Sequence, residues 1–95
     1  MKLRILDDIA RHDPDLAKQM RRAVNSVGLN AGEGLSAAGN RTARLESAMN
    51  SGREVVLGLR IAAAAGYLEP EQVARELDEL DRVIATLFKL TYRTR

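Results

Sequence analysis

Apolar residues recur along this chain at three- and four-residue steps, and nowhere over a useful length do they alternate with polar ones. A step between three and four is the period of an α-helix, so the pattern predicts an all-α protein. Proline occurs only at Pro14 and Pro70, each where a helix would begin. Asp13 can cap the helix that Pro14 opens, because the first helical N–H has no partner to lose. Gly66 ends an alanine run and suits a left-handed helix stop. Gly39-Asn40 breaks the middle of the chain, with Asn40 available as a cap. The predicted elements are a stub at about 3–11 and long helices at about 14–36, 41–65 and 70–91. Short connections between them imply an antiparallel, up-and-down bundle formed as one domain over residues 1–95.

Stepping by 100° assigns each long helix a core face. It holds Leu16, Met20, Ala23, Val27, Ala31 and Gly34 on the first, flanked by Val24. On the second it holds Leu45, Ala48, Gly52, Val55, Val56, Leu59 and Ala63. On the third, Val73, Leu77, Leu80, Ile84, Leu87 and Thr91 alternate four and three as in a bundle seam, with Phe88 beside them. Asp78 and Arg82 lie opposite that seam as an i,i+4 ion pair on a solvated face. Away from the first long helix's core face, Asn25, Gly28, Leu29 and Gly32 share a stripe with Arg21. Each helical glycine costs about 1 kcal/mol relative to alanine. Two of them four residues apart let another backbone come close, so this stripe is the expected oligomer interface.

Composition narrows the chemistry. Ninety-five residues with one Phe, two Tyr and no Trp make a modest core, and oligomerisation is a common way for so small a domain to gain buried area. There is no cysteine, which excludes a disulfide or a thiolate zinc site, and His12 is the lone histidine. Ser26, Asn30 and Glu33 lie within two helical turns, but no histidine is near to activate the serine. The expected roles are bonds from Ser26 and Asn30 to a facing helix and a cation for Glu33. Glu54 is a natural mate for Arg21 or Arg22. Asp7, Asp8, Asp13 and Asp15 lack the glycine turn and closing glutamate of a calcium loop. Tyr67 is expected to pack on the bundle end. No enzymatic activity, metal or cofactor is expected. No apolar run approaches a membrane span, and the start of the chain carries no signal core, so the expected location is cytoplasmic.

The net charge is only +2, but the middle of the chain is basic: residues 16–60 carry seven basic and three acidic side chains. Lys18, Arg21, Arg22, Arg41, Arg44, Arg53 and Arg60 are therefore the candidate contacts to RNA or DNA. One protomer offers little charge, whereas cyclic repetition would build a basic ring. Contacts to phosphate read no sequence directly. With so few aromatics, the sequence offers no cluster for stacking on bases. The alternative is a scaffold that recruits a protein partner, its charge serving only solubility.

The run Gln19-Met20-Arg21-Arg22-Ala23-Val24-Asn25-Ser26-Val27-Gly28-Leu29-Asn30-Ala31-Gly32-Glu33-Gly34 looks like a family signature. Ala48-Met49-Asn50-Ser51-Gly52-Arg53-Glu54 and the turn Gly66-Tyr67-Leu68 follow it. Together they resemble the bacterial four-helix-bundle proteins encoded in intervening sequences of 23S ribosomal RNA genes, over roughly residues 13–91. The resemblance implies an antiparallel bundle assembled as a ring-like homopentamer. A related branch, the accessory proteins of diversity-generating retroelements, adds nucleic acid and a reverse transcriptase as partners. Two features depart from the pattern: Gly32 stands where alanine is usual, and a stub from Lys2 to Arg11 replaces a long first helix. Either the chain begins late, or a neighbouring subunit covers the packing surface left over. Otherwise Leu16, Met20 and the Ala62–Ala65 face would form a bare apolar patch.

Overall fold

A computed structural model describes residues 3–36 and 39–92; Lys2, at the start of the expected stub, lies outside them. The described residues form four helices and no strand: α1 (Leu3–His12), α2 (Pro14–Ser36), α3 (Arg41–Ala64) and α4 (Pro70–Tyr92). Local chemistry sets their ends. Asp13 alone separates α1 from α2: its N–H donates to the Ile9 carbonyl at 2.8 Å, while its Oδ1 accepts the Leu16 N–H at 3.0 Å. One residue thus closes one helix and caps the next. Gly66 takes φ 78°, and the N–H groups of Gly66 and Tyr67 return to the carbonyls of Ala63 and Ala62. That paired return is a Schellman stop, available cheaply to glycine. Asn40 behaves differently from expectation. It sits in the left-handed region at φ 59° and its side chain makes no capping bond; only its carbonyl, accepting from the Arg44 N–H, starts α3. Asparagine tolerates that conformation better than most residues.

Helix α3 is the centre of the molecule, packed by α2 on one side and α4 on the other. The partners on α2 run in register: Gly34 meets Leu45, Ser26 meets Ser51, and Met20 meets Gly58. The core falls into two parts. One gathers Met20, Val55, Leu59, Ala62, Leu68 and Val73 around Ile5, Leu6 and Ile9 of α1. The other joins Leu45, Ala48, Met49 and Leu87 at the far end. No bare patch of Leu16, Met20 and Ala62 results: Met20 and Ala62 are buried in one cluster with Ile5, Leu6 and Ile9 of the chain's own short α1, Leu16 is half-buried, and Ala63–Ala65 remain exposed. Ala62 also replaces Ala63, which is exposed, as the last core residue of α3. Phe88 is 53% exposed rather than part of the seam.

Helix α1 spans about 15 Å against about 35 Å for α2, so it fills only part of the trough between α2 and α4. Beyond it Leu35, Val83, Leu87 and Leu90 line an open hollow of about 290 Å³.

Three glycines let the helices approach. A Cβ on Gly58 would lie 2.6 Å from Met20 Cγ, one on Gly34 2.9 Å from Leu45 Cγ, and one on Gly52 3.1 Å from Ile84 Cγ1. At Gly28 and Gly32 a Cβ would meet nothing within 4 Å. Gly58→Ala should therefore destabilise by about 1–2 kcal/mol, because overpacking a buried contact costs more than the helix propensity of alanine returns. In a Met20→Ala background the same change should cost less, since the added methyl then enters a cavity. Urea unfolding of the four-member cycle measures this coupling, and additive values would show that Gly58 makes no close approach to Met20.

Candidate nucleic-acid interface

A polar seam crosses the α2–α3 contact. Ser51, buried, donates to the Ser26 hydroxyl at 2.8 Å, and the Asn30 amide donates to the Ser26 carbonyl and hydroxyl, each at 3.0 Å. Arg44 continues it outward, donating to Asn30 Oδ1 at 3.4 Å and lying 3.7 Å from Glu33. The seam gives buried hydroxyls their partners, as buried polar groups require. It confirms the facing-helix and cation roles expected for Ser26, Asn30 and Glu33. His12 is remote from it, stacked on Tyr67 at 5.0 Å between ring centroids where α1 turns into α2. Among the described residues no three His, Cys, Asp or Glu side chains gather to hold a metal.

The seven candidate cations divide by what they already touch. Arg41 donates to the carbonyls of Gly34 and Leu90, at 3.2 and 3.3 Å, tying the C-terminal ends of α2 and α4 to the start of α3. Carbonyls at helix ends lack intrahelical donors and carry partial negative charge, so a guanidinium suits them. Arg44 is held in the seam. Arg21 lies 3.8 Å from Asp7 of α1, so within the chain Asp7, and not Glu54, is its mate. Arg53 donates to Asn50 one turn away at 3.1 Å. Lys18, Arg22 and Arg60 are exposed and make no ion pair or side-chain hydrogen bond among the described residues.

These cations do not share one surface of the protomer. Arg22 lines a groove with Gln19, Ser26, Ser51 and Glu54 on the α2 side of α3. Arg53 lies on the other side, close enough for its charge to act on Tyr92 of α4. Asn25, Gly28, Leu29 and Gly32, the residues expected to form an oligomer interface, are all exposed, Leu29 by 67%. On α4, Arg82 and Asp78 form the expected ion pair at 2.8 Å.

Two features escaped the sequence. Glu76 is buried between α1 and α4, and its Oε1 has no partner among the described residues; Arg4, Gln72, Arg75 and Glu79 surround the hollow it lines. Phe88 and Tyr92 meet edge to face at 4.8 Å, and Tyr92 donates to the Glu46 carboxylate. That hydrogen bond, joined by partial desolvation and the charge of Glu46, raises the Tyr92 phenol above its ordinary pKa, with Arg53 pulling the other way.

No helix among the described residues is long and apolar enough to cross a membrane. Comparison with curated proteins yields no match, and neither does comparison with solved structures. The family described as 23S rRNA-intervening sequence protein matches residues 6–89, from inside α1 almost to the end of α4. With the signature run lying along the α2 seam and the Gly66-Tyr67-Leu68 turn closing α3, this chain belongs to the 23S rRNA-intervening sequence protein family.

Proposed function

We propose that the protein is a non-enzymatic, homo-oligomeric helical bundle that binds RNA or DNA without sequence preference. It works in the cytoplasm as an accessory to a nucleic-acid enzyme such as a reverse transcriptase. The observation that carries this reading is the set of uncommitted cations: Lys18, Arg22 and Arg60 are exposed, with no ion pair to neutralise them among the described residues. Arg21 and Arg53, each held by one weak contact, join them. Arg41 and Arg44 contribute through the fold they brace. The helices form an antiparallel up-and-down bundle, a reading supported by the falling order of α2 partners along α3. Because Arg22 and Arg53 flank α3 on opposite sides, a continuous basic surface needs neighbouring protomers, which a closed ring of five supplies.

The interface of that ring is the stripe Asn25, Gly28, Leu29 and Gly32. Its glycines have no close contact among the described residues to account for them, and Leu29 is largely exposed. The scaffold alternative draws on the same exposed apolar side chains, with Leu57 and Ile61 of α3 as further contact points for a protein partner.

Binding of labelled RNA, single-stranded DNA and duplex DNA across a salt series, with molar mass read on the same sample, tests the proposal. Affinity should fall steeply as salt rises, since displaced counterions drive the association. The mass should be a multiple of the protomer, and Gly28→Leu should lower it. No binding at low salt would leave the scaffold reading in its place, and an unchanged mass for Gly28→Leu would remove the stripe from the interface.

A further inference from the structure

A chain with only three aromatic residues would be expected to bury them, yet two of the three stand in solvent side by side. Phe88 is 53% and Tyr92 46% exposed, one turn apart on α4. The third, Tyr67, is half-buried against His12. The exposed pair is also held in place. The Tyr92 hydroxyl is fixed by the Glu46 carboxylate of α3, and its ring meets Phe88 edge to face. Anchoring the two rings from a neighbouring helix lowers the ordering cost of anything that binds there.

The surroundings are basic. Arg53 lies within electrostatic reach of Tyr92. On α3, Glu46 and Arg53 are seven residues apart, so they fall on one stripe of the helix. Lys89 lines the same hollow as Phe88, Tyr92, Thr86 and Leu90, about 520 Å³ in volume. Glu46, the acidic member of the stripe, is occupied as acceptor for Tyr92. Rigid aromatic faces beside cations, in a protein otherwise nearly free of aromatics, match the chemistry of unpaired bases on a charged backbone. Stacking takes the base and the cations take the phosphates. A duplex hides its base faces and would use only the cations.

We infer that Phe88 and Tyr92, flanked by Arg53 and Lys89, form a stacking platform for the unpaired bases of single-stranded nucleic acid. This rests on the nucleic-acid reading above and sharpens it from any polyanion to single strands.

The test uses the full chain, a fluorescently labelled oligouridylate, and a labelled RNA duplex of matched length, each titrated over a salt series. Phe88→Ala with Tyr92→Ala should weaken binding of the single strand about tenfold or more. The dependence on salt, the affinity for duplex and the molar mass should stay as in the wild type. Tyr92→Phe alone should retain single-strand binding, because a face and not a hydroxyl is required. Unchanged single-strand affinity in the double variant would overturn the platform while leaving salt-dependent binding intact. A loss shared equally by the duplex would overturn it as well. So would a changed molar mass, which would make the aromatic pair a contact between subunits. A wild-type protein that binds neither probe would remove the nucleic-acid reading itself and the platform with it.

Discussion

Ile9→Ala should destabilise the bundle by about 2–5 kcal/mol, the range for truncating a fully buried aliphatic side chain. Ile9 is completely enclosed, and it shares a cluster with Leu6, Met20, Leu59 and Ala62, so residues of three helices, α1, α2 and α3, would border the cavity. A domain of this size has a total stability on the order of 5–14 kcal/mol. The loss is thus a large fraction of the whole. Leu29→Ala, at a 67% exposed position, should stay within about 0.5 kcal/mol as far as the protomer is concerned. The two variants are compared by urea midpoint at one protomer concentration, because any assembly adds a concentration-dependent term. If Ile9→Ala unfolds no earlier than Leu29→Ala, α1 does not dock on α2 and α4, and the trough is open along its whole length. The comparison bears on more than stability, since α1 also carries Asp7 to Arg21 and so decides how much of that cation is left for a ligand.

Much of this fold was legible in the sequence because its punctuation is local. Asp13-Pro14 and Gly66 act through their own backbone neighbours, so they fixed the helix ends to within a residue. The family signature was legible for the same reason: its main run, Gln19 to Gly34, is contiguous within one helix. The misplaced residues share a different cause. Ala62 through Ala65 are identical in hydropathy, so their periodicity has no phase, and the burial of Ala62 was settled by α1 arriving from another part of the chain. A ten-residue stub gives too few turns to reveal its partner, which is why Ile5, Leu6 and Ile9 passed unnoticed. Gly58 reads as a weak point in an apolar run until Met20 is found against it. Arg41 reads as a free cation because its acceptors are backbone carbonyls of Gly34 and Leu90, which no side-chain pattern encodes. Phe88 looks like a core residue from hydropathy alone; its i,i+4 spacing puts it beside Tyr92, and the packing of α4 leaves it exposed.

That division among the cations yields the largest expected effect on binding. Replacing Lys18, Arg22, Arg53 and Arg60 together by glutamine should weaken nucleic-acid binding by roughly a thousandfold at low salt, taking up to about 1 kcal/mol for each exposed charge contact. The salt slope should flatten by about 0.7 for each single-strand phosphate that the variant no longer engages. All four side chains are exposed, so the urea midpoint and the molar mass should hardly move. Net charge alone would also weaken binding, and a matched set separates the two causes. Glutamine at Arg4, Arg11, Arg75 and Arg82 removes the same four charges from the same formal total of +2. Two of these, Arg11 and Arg82, are already paired with Asp8 and Asp78. This second set should reduce affinity far less. Arg41→Gln differs again: with two helix-end carbonyls left without their donor, it should lower stability by about 1 kcal/mol and alter binding only to that extent. Equal losses from the two fourfold sets would mean that charge acts as an unlocalised field and that no surface is built for phosphate. An intact affinity in the first set would leave the exposed arginines as solubilising groups. The apolar side chains Leu29, Leu57 and Ile61 would then become the place to look for a protein partner.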